Sequence, residues 1–323
     1  MIATVTLNPS LDEHIMVRGL AVEETNRWDR LHRYAGGKGI DMSRAIHTMD
    51  GITTAYGFIG GPNGRVVEIL LDEEGVSFSF TPIQQETRIN FIITDTKTGQ
   101  QTRIGAPGPH IAKKELERFL AKLRQINPRP DLIAAGGSVP PGVPISIYYD
   151  MVMEAKALGV KTILDSEGRW LEEGIKAKPY LIKPNVHEAE GLLGRELSTE
   201  EAVIEAAFEL IETGVEIAVI SRGKDGIIAA TKESLFKAIP PPVKIRSAVG
   251  AGDCTIAGLA LTLAYGKPML EACRLAVAMG TAAVLTPGTE LSHKADVERL
   301  LPQTKVWVMS AKQRSRVFFA ASN

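Results

Sequence analysis

The chain is poor in cysteine. Among its 323 residues only Cys254 and Cys273 occur, both in apolar stretches that read as helices. Two such cysteines form no disulfide framework and lack metal-ligand spacing. They read as small buried hydrophobes of a reducing compartment. The chain also lacks a surplus of either charge. Lys and Arg number 37 against 38 Asp and Glu, a formal net charge of -1. A dedicated nucleic-acid binder would carry a basic excess, so no nucleic-acid partner is expected. No apolar run approaches the ~18 residues of a membrane span. The opening Met1-Ile2-Ala3-Thr4-Val5-Thr6-Leu7 has no basic segment and no long apolar core, so it reads as a strand instead of a signal peptide. A soluble cytoplasmic protein without a membrane partner is expected. The 6 histidines show no metal spacing, which leaves metal-hydrolase and Ser-His-Asp readings without support.

What is present suits a large core, since 44% of the residues are hydrophobic. Short β-rich runs at 3–7, 53–59, 132–135, 161–164, 180–182 and 216–220 are apolar on successive residues, as in strands buried on both faces. Helical patterns fall between them at 39–49, 65–74, 113–125, 145–158 and 199–213. This order predicts an α/β fold with a mostly parallel sheet and helices on both faces. Two segments, roughly 14–34 and 88–104, alternate instead, and the second reads as a hairpin turning at 96–99. They predict a small β lid whose edge is available to a second subunit. A further hairpin at 226–231 and 234–238 precedes the stiff Pro240-Pro241-Pro242, and helices follow at 253–264, 269–285 and 294–301. The basic tail 312–323 reads as a frayed or docked end.

Several short motifs carry chemistry. Ser247-Ala248-Val249-Gly250-Ala251-Gly252-Asp253 runs into an apolar helix. Amides at a helix N-terminus attract anions. A carboxylate there suits a group that takes a proton from an attacking hydroxyl. The same residues also suit a Gly-rich turn with a first-turn helix charge. Ala35-Gly36-Gly37-Lys38-Gly39-Ile40-Asp41 opens another helix, without the spacing of a Walker loop. Lys183-Pro184-Asn185-Val186-His187-Glu188 follows a strand. Asn185 and Glu188 suit a hydrated Mg²⁺ near phosphates, or a capping box. Ser221-Arg222-Gly223-Lys224-Asp225-Gly226 suits a nucleotide-binding turn or a plain one. Arg27, Arg88 and Arg103 fall in the expected lid. If they converge they clamp a phosphate; singly they are solvated charges.

Taken in order, Gly36-Gly37-Lys38-Gly39, Lys183-Pro184-Asn185 with Glu188, and Gly250-Ala251-Gly252-Asp253 resemble the PfkB branch of the ribokinase-like carbohydrate kinases. The resemblance runs from Met1 to about Leu301. It includes Leu7-Asn8-Pro9-Ser10-Leu11-Asp12, Thr87-Arg88-Ile89-Asn90 and Gly137-Ser138-Val139-Pro140-Pro141-Gly142. It implies a ribokinase-like three-layer α/β sandwich, one kinase domain over 1–323, with a lid formed by roughly 13–35 and 86–106. It implies ATP with Mg²⁺, a monovalent cation such as K⁺ as an accessory, and a homodimer built from lids. The implied reaction is phosphorylation of a ketohexose phosphate, fructose 6-phosphate first, then fructose 1-phosphate or tagatose 6-phosphate. More distant readings are a kinase of unphosphorylated sugars or nucleosides, and a weakly catalytic sugar-phosphate binder.

By the same resemblance Asp253 is the base, and the amides of Gly250, Ala251 and Gly252 form an anion hole. Asp12, Gly36, Gly37, Lys38, Asp41, Arg88 and Ser138 line the sugar site, and Arg27 reaches the sugar phosphate across the lid dimer. Lys183, Asn185, Ser221, Gly223, Gly226, Gly250 and Gly252 serve the nucleotide, with Asn185 and Glu188 acting on the metal through water. Members of the family usually carry Asn where this chain has Asp41. An amide donates and accepts, whereas a carboxylate only accepts.

Overall fold

The computed structural model describes residues 1–310, so the tail 312–323 lies outside the described residues. The chain opens with β1 (Ile2–Thr6), β2 (Ser10–Val17), β3 (Trp28–Gly36), α1 (Lys38–Thr48), β4 (Thr53–Ile59), α2 (Gly61–Glu73) and β5 (Thr81–Pro82). Next come β6 (Arg88–Asp95), β7 (Gln101–Ile104), α3 (Lys113–Arg124), β8 (Leu132–Gly136), α4 (Ile147–Ala157), β9 (Lys161–Asp165) and α5 (Gly168–Ile175). β10 (Leu181–Ile182), α6 (Val186–Leu193), α7 (Glu200–Glu212), β11 (Ile217–Ser221), β12 (Ile227–Ala230) and β13 (Ser234–Ile239) follow. The described chain ends with α8 (Ala251–Ala264), α9 (Met269–Ala283), α10 (Lys294–Leu300) and β14 (Lys305–Ser310).

Among the described residues the larger sheet has 10 strands in the order β14-β13-β12-β11-β10-β9-β8-β1-β4-β5. Pairings from β11 through β5 are parallel. β12, β13 and β14 add antiparallel strands at one edge. Alternate residues of β8 show why the strands read as unbroken apolar runs. Leu132 and Ala134 enter a core with Ile256, Leu259 and Ala276, while Ile133 and Ala135 enter another with Phe119, Tyr148 and Met151. Helices therefore cover both faces, which makes three layers. Helix α8 is buried without a break from Cys254 to Leu263, which accounts for an apolar sequence with no polar stripe. Both cysteines are buried and free.

The smaller sheet runs β3-β2-β6-β7. Its outer pairs are antiparallel, but β2 and β6 lie parallel. This is the expected lid, and β3 is mostly exposed, as one wet face requires.

Some boundaries differ from the sequence pattern. The helix expected at 65–74 begins at Gly61, because Pro62 fits a first turn, where a missing N–H leaves nothing unpaired. Helix α5, with 8 residues, is too short to establish a clear period. Strand β14 pairs with β13, a partner distant in sequence, so no local signal marks it.

Candidate active site

The cleft lies beyond the carboxyl ends of the parallel strands, where open α/β sheets bind ligands. β1 and β8 lead into Asn8 and Ser138, β9 ends on Asp165, and β10 leads into Lys183. The N-termini of α1 and α8 meet the same edge. At α8 the N-cap is Gly250, whose φ of 76° lies in the left-handed region that glycine enters at little cost. That turn brings Asp253 into the helix's first turn.

Two lysines and one aspartate organise the centre. Lys38 Nζ lies 3.1 Å from Asp165 Oδ2, and Lys183 Nζ lies 3.3 Å from Asp165 Oδ1. Asp165 and Lys183 are buried. Burial opposes the Asp165 charge, yet Lys183 and Lys38 hold its carboxyl below the usual range. Burial likewise opposes the Lys38 ammonium, but Asp165, then Asp253 and Glu188, hold it above the ordinary lysine range. Burial pushes the Asp253 carboxyl up to about 6, against the pull of Lys38 and Lys183 and with the repulsion of Asp165 and Asp12. A carboxyl placed so is ionised near neutrality and is a stronger base than a solvated aspartate.

The residues expected to line the sugar lie on β2, β6 and α1 and on the loops beside them. Asp12 is buried and accepts hydrogen bonds at Oδ1 from Ser10 Oγ at 2.7 Å and Asn90 Nδ2 at 2.9 Å. Burial raises its pKa, while Ser10, Asn90, Arg88 and Arg44 oppose the shift. Gly36 lies so close that a Cβ there would sit 2.4 Å from the Asp12 carboxyl, and Gly37 is the N-cap of α1. Asn8 Nδ2 donates to Ser138 Oγ at 3.1 Å and to the Pro107 carbonyl at 3.0 Å. Asp41 is buried one turn into α1, with Arg44 Nη1 at 3.4 Å from its Oδ1.

The lid arginines do not converge within one subunit. Arg88 pairs with Ser10 at one end of the eight-residue β2, and Trp28, just after Arg27, pairs with Val17 at the other. These ends are about 25 Å apart. Arg103 pairs with Ile92, which faces His14 in the middle. Arg27 and Arg103 are exposed. Arg88 donates from Nη1 to the Ala106 carbonyl at 2.8 Å and from Nη2 to the Asn8 carbonyl at 3.0 Å. A clamp of these three arginines from one chain is therefore corrected: strand register separates them.

Of the residues expected to serve the nucleotide, four line a cavity of about 690 Å³, whereas Asn185 lines a neighbouring one that shares Ser221 and Gly223. Ser221, Gly223 and Gly226 line the first together with Pro241, Ala251 and Gly252. Asn185 and Glu188 form a reciprocal capping box. Glu188 N donates to Asn185 Oδ1 at 2.9 Å, and Asn185 N donates to Glu188 Oε2 at 2.8 Å. Each still has acceptor capacity for a water. Among the described residues no group of three His, Cys, Asp or Glu could cage a metal.

Sequence reasoning missed Asp165, Arg44 and Glu74. Asp165 had a readable signal, an acidic residue closing an apolar strand at the ligand-binding edge. Arg44 and Glu74 had none, since their pairing joins two helices distant in sequence.

A helix N-terminus carrying a carboxyl, two lysines held by the buried Asp165, and a roomy cavity beside them suit phosphoryl transfer by an enzyme of the α/β class. The pfkB family carbohydrate kinase description matches residues 5–296, and the chain belongs to that family. It is 33% identical over 306 residues to the 1-phosphofructokinase of Bacillus subtilis, covering 95% of this chain and 99% of that one. It is 34% identical to the ATP-dependent 6-phosphofructokinase isozyme 2 of Mycobacterium tuberculosis, covering 92% and 88%. Phosphofructokinase-2 from Escherichia coli, solved with potassium, superposes with a TM-score of 0.90 at 31% identity, over 94% of this chain and 98% of that one. The chain is thus a sugar kinase of phosphofructokinase type, and its fold is ribokinase-like.

Proposed function

We propose that this kinase transfers the γ-phosphoryl of ATP to a hydroxyl of a ketohexose phosphate, turning fructose 6-phosphate into fructose 1,6-bisphosphate. The carrying observation is Asp253, raised to about 6 at the mouth of α8 and flanked by Lys38 and Lys183. In this reading Asp253 removes the proton from the acceptor hydroxyl. The oxygen attacks the γ-phosphorus, the bond to the β,γ-bridging oxygen breaks, and ADP leaves with its electron pair. The transferring group spreads charge over its oxygens, so positioning and neutralisation dominate catalysis. The amides of Gly250, Ala251 and Gly252, at the positive end of α8, serve the developing anion. Lys38 and Lys183 approach the phosphates, with Asp165 fixing both ammonium groups.

The exposed capping box suits a hydrated Mg²⁺ carried by the ATP phosphates and touched by Asn185 and Glu188 through water. Such an ion would neutralise phosphate charge. A monovalent cation as accessory is supported by the potassium of the Escherichia coli relative. We read 1–323 as one kinase domain with its lid at roughly 13–35 and 86–106. The exposed Trp28 and Ile104 of the lid favour a homodimer through that sheet. Arg27 then serves the sugar phosphate of the partner, which accounts for its distance from Arg88. Among the described residues no helix is long and apolar enough to cross a membrane. A cytoplasmic location goes with this reading.

The second acceptor is fructose 1-phosphate, favoured by the Bacillus subtilis relative, with tagatose 6-phosphate, favoured by a tagatose-6-phosphate kinase of Staphylococcus epidermidis, after it. ADP release measured over these three, fructose and ribose tests the assignment. The highest kcat/KM is expected with fructose 6-phosphate. A higher value with another phosphate would reassign the acceptor, and turnover of unphosphorylated sugars alone would discard the phosphosugar reading.

A further inference from the structure

Three carboxyl groups share the sugar side of the cleft: Asp12 from β2, Asp41 from α1 and Asp253 from α8. Both Asp12 and Asp253 act electrostatically on Asp41. The cations nearby are largely committed. Lys38 and Lys183 are bridged to Asp165, and Arg88 is turned onto backbone carbonyls. Arg44 is the cation beside Asp41, but it forms a two-point pair with Glu74, Nε to Oε2 at 2.6 Å and Nη2 to Oε1 at 2.8 Å. Its Nη1 donates to the Thr289 carbonyl at 3.0 Å, and Tyr34 covers its face at 5.6 Å. What reaches Asp41 is the remaining 3.4 Å contact at Oδ1. The Asp41 side chain accepts no other hydrogen bond among the described residues.

Charge decides the rest. Asp12, Asp41, Asp165, Asp253 and Glu74 outnumber Lys38, Lys183, Arg44 and Arg88 before any anionic sugar arrives. A buried carboxylate without a dedicated cation takes up a proton instead of remaining ionised. We propose that Asp41 occupies the sugar site as the neutral carboxylic acid and donates a hydrogen bond to a hydroxyl of the bound sugar. This rests on the sugar-kinase reading above and makes Asp41 a determinant of sugar affinity. Burial, then Asp253, raise the Asp41 pKa well above its ordinary value, Asp12 adds to the shift, and Arg44 opposes it. The titratable groups that act on it are Asp253 from α8, Arg44 from α1 and Asp12 from β2, and Asp41 in turn acts on the Cys254 thiol of α8; Glu74 beyond α2 and Tyr34 from β3 reach it only through Arg44. Once pH exceeds its pKa, Asp41 can only accept a hydrogen bond, and its charge repels a phosphosugar.

The test pairs infrared difference spectroscopy with steady-state kinetics on the full chain. The parent protein is expected to show a protonated-carboxyl stretch near neutral pH that Asp41→Asn removes and Asp253→Asn leaves in place. Its sugar KM should be flat at neutral pH and rise in alkali, while Asp41→Asn gives a KM without that rise. Asp41→Ala, which has no donor, should raise KM by about tenfold at neutral pH. Absence of the band, or parallel KM profiles for the parent and Asp41→Asn, would overturn the proposal. If no sugar is turned over, the kinase reading falls, and the infrared band alone still decides the protonation of Asp41.

Discussion

At Asp253, burial and neighbouring acids work against Lys38 and Lys183, and the carboxyl comes to rest near 6. A base acts in its ionised form, so kcat/KM is expected to fall about tenfold per pH unit below that value. The pH–rate profile checks this, and a profile flat down to pH 5 would place the base elsewhere. Asp253→Ala should lower kcat by about 10²–10⁴ while ATP binding, read by calorimetry, persists. Near-normal turnover would remove the assignment. Arg88 holds the Ala106 and Asn8 carbonyls, and in the proposed reading it also meets the sugar phosphate. Arg88→Ala is expected to raise KM more for a phosphosugar than for the unphosphorylated sugar. Equal losses would leave it only the first duty.

Among elements, Asp165 ties α1 to the strand ends through Lys38 and Lys183. Removing one partner of a buried ion network leaves uncompensated charge, so Asp165→Ala should cost roughly 3–5 kcal/mol in urea unfolding. The sign with pH follows from its lowered pKa. The contribution is present above the unfolded carboxyl value of about 3.9 and is lost as pH falls through the folded one. The parent should therefore lose more stability in acid than Asp165→Asn. Helices α8 and α9 meet at Gly258, where a Cβ would lie 2.6 Å from Ala276 Cα. Gly258→Ala forces backbone apart and is expected to cost about 1–3 kcal/mol. An unchanged urea midpoint would mean that the helices slide freely.

For the whole molecule, the proposed reading gives the smaller sheet two roles, water exclusion and assembly. Sealing the cleft would protect ATP from hydrolysis. If lids pair between subunits, Trp28→Glu should shift sedimentation toward the monomer and weaken sugar-phosphate binding together, because Arg27 is then lost from the partner's site. Loss of one without the other would uncouple the lid contact from Arg27.

The order of apolar runs and helical periods was enough to establish the layered α/β sheet, since strands buried on both faces carry unbroken apolar sequence. The alternating pattern at 14–34 and 88–104 marked the lid, because one wet face imposes a period of two. Gly36–Asp41, Lys183–Glu188 and Gly250–Asp253 were legible as loops opening helices, where local chain geometry demands glycine and caps. Which side chains meet across those loops was not legible. Asp165 between two lysines, Arg44 held by Glu74, and Arg88 set far from Arg27 depend on strand order and register, which join residues distant in the chain. The sequence determined that an aspartate stands at position 41. Only the tertiary structure decided that it is buried among other acids with a guanidinium already taken, because burial and competing partners belong to the packed molecule and not to any local segment.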